Sequence, residues 1–120
     1  MAPFLGVPLM DRDHAAIERM FAEVETTPDE GLPGLFEAIA RELAEHFARE
    51  EAAMTEAQVP ILLSHLELHA QLLREVERMR EEIASHGAEG ARQLLGAMLP
   101  QLVANHVATA DTASASFLRA

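Results

Sequence analysis

Five histidines and two carboxylates stand in this chain at spacings that suit a shared metal site. In chain order they are His14, the pair His46 and Glu50, the pair His65 and His69, and the pair His106 and Asp111. Residues four apart lie on one helical face, and imidazole and carboxylate both bind transition metals such as iron or zinc. Seven ligands are too few for two closed octahedral ions and too many for one ion. The pattern therefore predicts a dinuclear metal centre with one position open for a small molecule.

The composition indicates one all-α domain that spans residues 1–120. Hydrophobic residues make up 49% of the chain, but aromatic residues only 4%. Alanine and leucine are prominent, and both favour helix over sheet. A chain of 120 residues is long enough for a single hydrophobic core but not for a second unit.

Charge and residue usage exclude several classes of function. The net charge of −11 argues against nucleic-acid and anionic-membrane partners, which need clustered Lys and Arg. The absence of cysteine excludes disulfides and thiolate chemistry. No segment approaches the roughly 20 apolar residues of a membrane span, and residues 1–10 lack the features of a signal peptide. We therefore expect a cytoplasmic protein.

Proline and glycine divide the chain into four predicted helices. The breaks fall near Pro28, Pro60 and Gly87, and Pro33 suits the first turn of a helix. The predicted helices cover about 9–25, 33–57, 60–86 and 88–118. Because the connections are short, consecutive helices should be antiparallel neighbours. We predict an up-down-up-down four-helix bundle.

This topology brings the seven candidate ligands to one level. His14 lies near the start of the first helix, and His65 and His69 lie near the start of the third. The other ligands lie toward the ends of the second and fourth helices. In an up-down-up-down bundle these four helix ends meet, so the seven side chains should converge. The apolar stripes predict that all of them point inward.

Two features of the fourth helix predict irregular geometry. Asp111 follows His106 by five residues, which rotates it by roughly 140° from His106 on an ideal α-helix. We therefore predict a π-type widening between these two residues. Pro100 removes one hydrogen bond and would clash with the carbonyl of Gly96, so the helix should bend there.

Taken together, the four ligand-bearing segments resemble the hemerythrins. These segments read MDRDHAAIERMF, HFAREEAAM, HLELH and NHVATAD, and the resemblance extends over essentially the whole chain. The length and context are most similar to those of bacterial hemerythrins. The Glu-x-x-His spacing of ferritin-like di-iron bundles is absent from these positions, which disfavours that class.

The resemblance implies two iron ions, cycling between Fe²⁺ and Fe³⁺ and joined by an oxo or hydroxo bridge. It assigns one iron to His65, His69 and His106 and the other iron to His14 and His46. Glu50 and Asp111 would bridge the two ions. The iron with two histidines would keep a vacant position for O2.

A dry pocket is expected to surround that vacant position. Its candidate walls are Phe47, Met54, Leu66, Leu102, Val103 and Val107. The family usually carries tryptophan where this chain has Leu102, and an aromatic residue where it has Val59. We therefore expect a more aliphatic pocket than is usual in the family.

The predicted function is reversible O2 binding for storage, delivery or sensing, and not enzymatic turnover. One alternative is a di-iron enzyme of the hemerythrin-like group that acts on nitric oxide or peroxide. Another alternative is a simple iron store. The predicted partner is O2 or another small diatomic ligand.

Three polar residues near these segments have simpler interpretations. His86 precedes Gly87 and is expected to cap a helix C-terminus. Asp11 and Asp13 are expected either to cap the first helix or to orient His14.

Overall fold

All regular secondary structure in residues 3–119, which the computed structural model describes, is helical. The α-helices are α1 (Pro8–Ala22), α2 (Leu32–Glu56), α3 (Leu62–Gln93), α4 (Leu99–His106) and α5 (Thr112–Leu118). Two 3₁₀ turns, Glu23–Thr26 and Asp29–Gly31, connect α1 to α2, and two π turns, Leu94–Met98 and Val107–Asp111, flank α4. Within the described range, no helix has the length and apolar character needed to cross a membrane. The predicted all-α fold class is confirmed.

Gly87 interrupts the long helix α3 where the sequence predicts a helix end. Its φ of 69° and ψ of −149° are non-helical, although helical hydrogen bonding continues on both sides. Just before it, the exposed His86 places Nδ1 3.3 Å from the carbonyl oxygen of Glu82, one turn back. The predicted C-terminal role of His86 is therefore confirmed. The helical run changes direction locally at a residue without a Cβ.

The predicted π turn in the last helical run is present. Residues Val107–Asp111 form a π-helix directly after His106, so the five-residue spacing does not carry Asp111 off the ligand face. A second π turn, Leu94–Met98, was not predicted. It comes just before Pro100, which lies in the first turn of α4, where a missing backbone N–H is tolerated.

The core is built from the stripes that the sequence predicts. In α2 the apolar stripe residues Phe36, Ile39 and Leu43 are fully or almost fully buried. In α3 the buried stripe is Leu72, Val76, Met79 and Ile83. These two stripes face each other, since α2 and α3 form the most extensive helix pair in the structure. Burying such stripes is the main source of stability for helices of this length.

Two arginines of α3 form hydrogen bonds to other parts of the fold: Arg80 to α2, and Arg92 to the connection between α1 and α2. Arg80 of α3 donates to both oxygens of Glu37 on α2, at 2.8 and 3.0 Å, and its guanidinium lies 5.8 Å from the centre of the Phe36 ring. Arg92 donates to the carbonyl oxygens of Val24 and Thr27, at 3.1 and 2.9 Å. Arg92 therefore fixes the connection between α1 and α2 against the region just before the π turn Leu94–Met98.

Gln58 ends α2 in a left-handed conformation. Its φ is 53°, and it is the one residue other than glycine with a positive φ among the described residues. The amide of Gln58 donates to Thr55, and the amide of Val59 donates to Met54, at 3.1 and 3.0 Å. This is the Schellman pattern, in which glycine usually takes the left-handed position.

We predict that Gln58→Gly stabilises the protein. Glycine removes the steric penalty that a Cβ meets in the left-handed region, so the free energy of unfolding should rise by about 1 kcal/mol. Chemical denaturation monitored by circular dichroism measures this change. The matched control Gln58→Ala keeps the Cβ and should bring no gain. An equal gain in both variants would contradict the conformational explanation.

Candidate metal centre

The seven predicted ligands converge in one buried cluster. Their donor atoms form two overlapping groups, each with all atoms within 4.8 Å of one another. The first group contains His65, His69 and His106, the second contains His14 and His46, and both contain Glu50 and Asp111. The predicted convergence of side chains from four parts of the chain is therefore confirmed.

Each carboxylate directs one oxygen toward each group of histidines. In Glu50, Oε2 lies 3.1 Å from Nε2 of His46, and Oε1 contacts Nε2 of His65. In Asp111, Oδ2 lies 2.9 Å from Nε2 of His14, and Oδ1 lies 3.0 Å from Nε2 of His106. A carboxylate with its two oxygens divided in this way could contact a cation beside either group of histidines.

The two carboxylates of the cluster are completely buried, so their charges must be compensated by neighbouring groups inside the protein. Glu50 and Asp111 are both 0% exposed, and burial alone would raise the pKa of each carboxyl group. Close contacts with the surrounding imidazoles outweigh burial and lower the pKa of both carboxyl groups. Burial would lower the pKa of His65, but Asp111 and Glu50 outweigh it and raise that pKa to about 9. The carboxylates thus favour positive charge among the histidines.

Five buried nitrogen and oxygen atoms that face one another in the cluster make no well-oriented hydrogen bond to any described residue, although some of them lie close together. They are Nε2 of His46, His69 and His106, together with Oε2 of Glu50 and Oδ1 of Asp111. Buried polar atoms of native proteins are nearly always satisfied, so unsatisfied atoms that face one another require an explanation. Cations between them would satisfy all five atoms at once. The donor set, imidazole nitrogen with carboxylate oxygen, fits ions such as iron or zinc.

Three residues hold the outer nitrogens of the histidines. Nδ1 of His46 donates to Oδ2 of Asp13 at 2.9 Å, and Nδ1 of His69 donates to Oε2 of Glu51 at 2.6 Å. Nδ1 of His65 lies 2.7 Å from the hydroxyl oxygen of Ser114. A proton held on Nδ1 leaves the lone pair of Nε2 pointing into the cluster, which is the arrangement that metal binding needs. Sequence reasoning missed the roles of Glu51 and Ser114.

The structure corrects the expected roles of Asp11 and Asp13. Neither caps the start of α1: Asp11 accepts hydrogen bonds from the amides of Leu5 and Gly6, which lie before the helix. Asp13 is buried and orients His46, not His14. Arg49 donates to the same oxygen of Asp13 at 3.0 Å, and burial of Asp13 is outweighed by these bonds, so its pKa is lowered.

Phe47 is the pocket candidate in closest contact with the ligands. Its ring stacks on His69, with centroids 4.0 Å apart and planes inclined by 10°, and it also lies against His46 and His106. Of the other candidates, Met54 and Val107 are buried, whereas Leu66, Leu102 and Val103 are half-buried. The enclosed O2 pocket formed by these six side chains remains a prediction.

A cavity of about 520 Å³ reaches the cluster from another side. It lies between α1 and the last helical run, and His14 forms part of its wall. Val103 and Val107 are the two pocket candidates that line it, and its other walls include Ile17 and Phe21. The histidine group with fewer ligands is therefore the one that adjoins open space.

Comparison with known proteins gives one family match. The sequence model of the family described as the hemerythrin HHE cation binding domain matches residues 5–113. No curated protein and no solved structure matches the chain significantly. The family match covers every residue of the buried cluster.

We predict that the stability of the metal-free protein decreases above neutral pH. The pKa of His65 is raised from 6.5 to about 9 on folding, and the pKa of His46 is also raised because Glu50 and Asp13 outweigh burial. Their contribution to stability is present below pH 6.5 and is lost as the pH rises through about 9. The melting temperature of the metal-free protein should fall over this range. Iron-loaded protein is the control. Its melting temperature should change much less over this pH range because cations replace the protons. A constant or rising melting temperature of the metal-free protein would contradict the prediction.

Proposed function

Because the chain belongs to the hemerythrin family, we propose that its buried cluster holds two iron ions and binds O2 reversibly. The observation that carries this proposal is the division of each buried carboxylate between two groups of histidines. Such a division suits two cations, whereas one cation would leave several donors unused. Storage, delivery and sensing of O2 are all served by the same chemistry.

The two groups would hold the ions unequally. His65, His69 and His106 would hold one iron, whereas His14 and His46 would hold the other. Glu50 and Asp111 would contact both ions. The second ion would therefore have one protein ligand fewer, which leaves it a position for a small ligand. When bound as Fe²⁺, the two ions together would supply the two electrons that O2 accepts and returns.

The residues around the cluster would hold the ligands in place and exclude water. Asp13, Glu51 and Ser114 fix the outer nitrogens of His46, His69 and His65. These contacts would prevent the rings from turning away from the ions when ligands exchange. Phe47 covers the side of the cluster formed by His69 and His106. A water-poor environment favours reversible binding because it limits proton delivery to reduced oxygen.

We also propose that the helices form an antiparallel four-helix bundle. Its members would be α1, α2, the part of α3 before Gly87, and the run 88–118. The non-helical backbone at Gly87 supports this division because it separates a helical stretch before it from a helical stretch after it. The short connections on either side of α2 also support it.

Gas cycling tests the proposed O2 binding. Purified iron-loaded protein is reduced without air, exposed to O2 and returned to argon while its visible spectrum is recorded. We expect a charge-transfer band that appears with O2 and disappears under argon through repeated cycles. Zinc-loaded protein is the control and should show no band. A single irreversible oxidation would overturn reversible binding and favour the redox enzyme, which turnover of peroxide or nitric oxide would then identify.

Replacing either bridging residue should reduce the iron content. Glu50→Ala and Asp111→Ala each remove an oxygen donor from both groups, so the variants should hold fewer than two irons per chain. Elemental analysis of anaerobically reconstituted protein measures the content. Glu45→Ala, an exposed position on the same helix, is the matched control and should keep the wild-type content. A bridging variant that retains two irons would contradict the assignment. A variable content in the wild type would favour an iron store.

A further inference from the structure

We infer that the two cation positions of the cluster fill in order, and that Arg49 contributes to the difference in affinity between them. The three-histidine position lies beside His65, His69 and His106, and the two-histidine position lies beside His14 and His46. The three-histidine position fills first. The inference rests on the proposed pair of ions, but it concerns their affinities and does not require O2 binding.

The charge of the cluster suits one divalent cation better than two. Glu50 and Asp111 are the two carboxylates that both positions share, and a histidine that binds metal is neutral. A first divalent cation would therefore balance both carboxylates. A second would bring two further positive charges beside side chains that are 0% exposed, and an anion from the solvent would have to enter to balance them. The second cation consequently binds more weakly than the first.

The ligand rings of the three-histidine position are held in place without metal. The ring of Phe47 stacks on His69, with centroids 4.0 Å apart, and Oε2 of Glu51 lies 2.6 Å from Nδ1 of the same histidine. The hydroxyl oxygen of Ser114 lies 2.7 Å from Nδ1 of His65. Rings that are already fixed lose little conformational freedom when a cation binds, which favours binding at this position.

The outer nitrogen of His14 has no comparable support. Nδ1 of His14 is buried and makes no hydrogen bond to any described residue. The corresponding nitrogen of His46, the other histidine of the two-histidine position, lies 2.9 Å from Oδ2 of Asp13. A partner at this nitrogen orients the ring and raises its basicity, and loss of such a partner lowers metal affinity by roughly 10–100-fold. One of the two histidines of this position therefore binds a cation without that advantage.

Arg49 reduces the support that His46 receives from Asp13. Nδ1 of His46 and Nε of Arg49 both contact Oδ2 of Asp13, at 2.9 and 3.0 Å. The arginine charge balances the carboxylate that would otherwise raise the basicity of His46. Glu51, which holds His69 in the three-histidine position, forms no ion pair with an arginine in the described part of the chain. The negative charge behind the two-histidine position is therefore the weaker of the two.

A zinc titration followed by NMR tests the order of filling. Zn²⁺ undergoes no redox change and is not paramagnetic, so the ring nitrogen signals of the histidines stay visible and shift when a ring binds metal. At one Zn²⁺ per chain we expect the larger shifts in the histidines of the three-histidine position. The two dissociation constants should differ by roughly tenfold or more. Equal shifts in both sets of histidines, or larger shifts in the two-histidine position, would overturn the inference.

Substitutions of Arg49 test its part in the difference. Arg49→Met removes the charge that competes for Asp13 and should tighten binding of the second Zn²⁺ by roughly threefold. Arg49→Lys keeps the charge and should stay close to the wild type. Arg41→Met, at an exposed position on the same helix, is the matched control and should leave both dissociation constants unchanged. If Arg49 only held Asp13 in place, its loss would weaken the second Zn²⁺. That result, or no change, would overturn the role assigned to Arg49.

Stepwise removal of zinc covers the case in which a variant or the metal-free chain does not fold. Fully zinc-loaded wild-type protein is dialysed against increasing concentrations of a chelator, and the same ring signals are followed. The metal-bound signal of His14 should disappear before that of His69, and the reverse order would overturn the inference. Saturation at one Zn²⁺ per chain would overturn both the inference and the proposed pair of ions. Two Zn²⁺ that bind and leave together would overturn the order of filling alone. Because zinc binding is read without O2, a failure of gas cycling is distinguished from each of these results.

Discussion

The structure depends on two carboxylates that have no access to water. Burying an ionised carboxylate costs several kcal/mol unless charged or hydrogen-bonding partners surround it. Glu50 lies in α2 and Asp111 in the last helical run, and each is surrounded by imidazoles from its own helical run and from other helices. Helices that miss this level would leave a buried charge without compensation. The docking of the helices at this level therefore compensates the two buried charges.

Much of the candidate site was predictable because helical spacing fixes the direction of a side chain. His65 and His69 had to share a face with Leu72, and the apolar stripe showed that this face is buried. The spacing of His106 and Asp111 conflicted with a regular helix, and the structure resolves this conflict with a π turn. In each case the residues concerned lie within three helical turns of one another, so local helix geometry was sufficient to predict the direction of their side chains.

The features that sequence reasoning missed depend on distances across the fold. Asp13 and His46 are separated by 33 positions, and Ser114 and His65 by 49 positions. No local spacing relates such residues, although a serine three positions after Asp111, on the same helical face, was an available signal. The cavity could not be predicted for the same reason, because its size depends on the distance between α1 and the last helical run. The π turn Leu94–Met98 was missed because Pro100 predicts a bend in the helix and not a change in the hydrogen-bonding pattern of the residues before it.

The contact between His14 and Asp111 joins residues 97 positions apart, and this separation has a consequence for the order of events during folding. A contact that closes nearly the whole chain forms late because its loop entropy is lost before other contacts compensate. The complete cluster therefore exists only after α1 and the last helical run have docked. If the cluster holds metal, its capture should then be a late step of folding, because the donor atoms meet only at that stage.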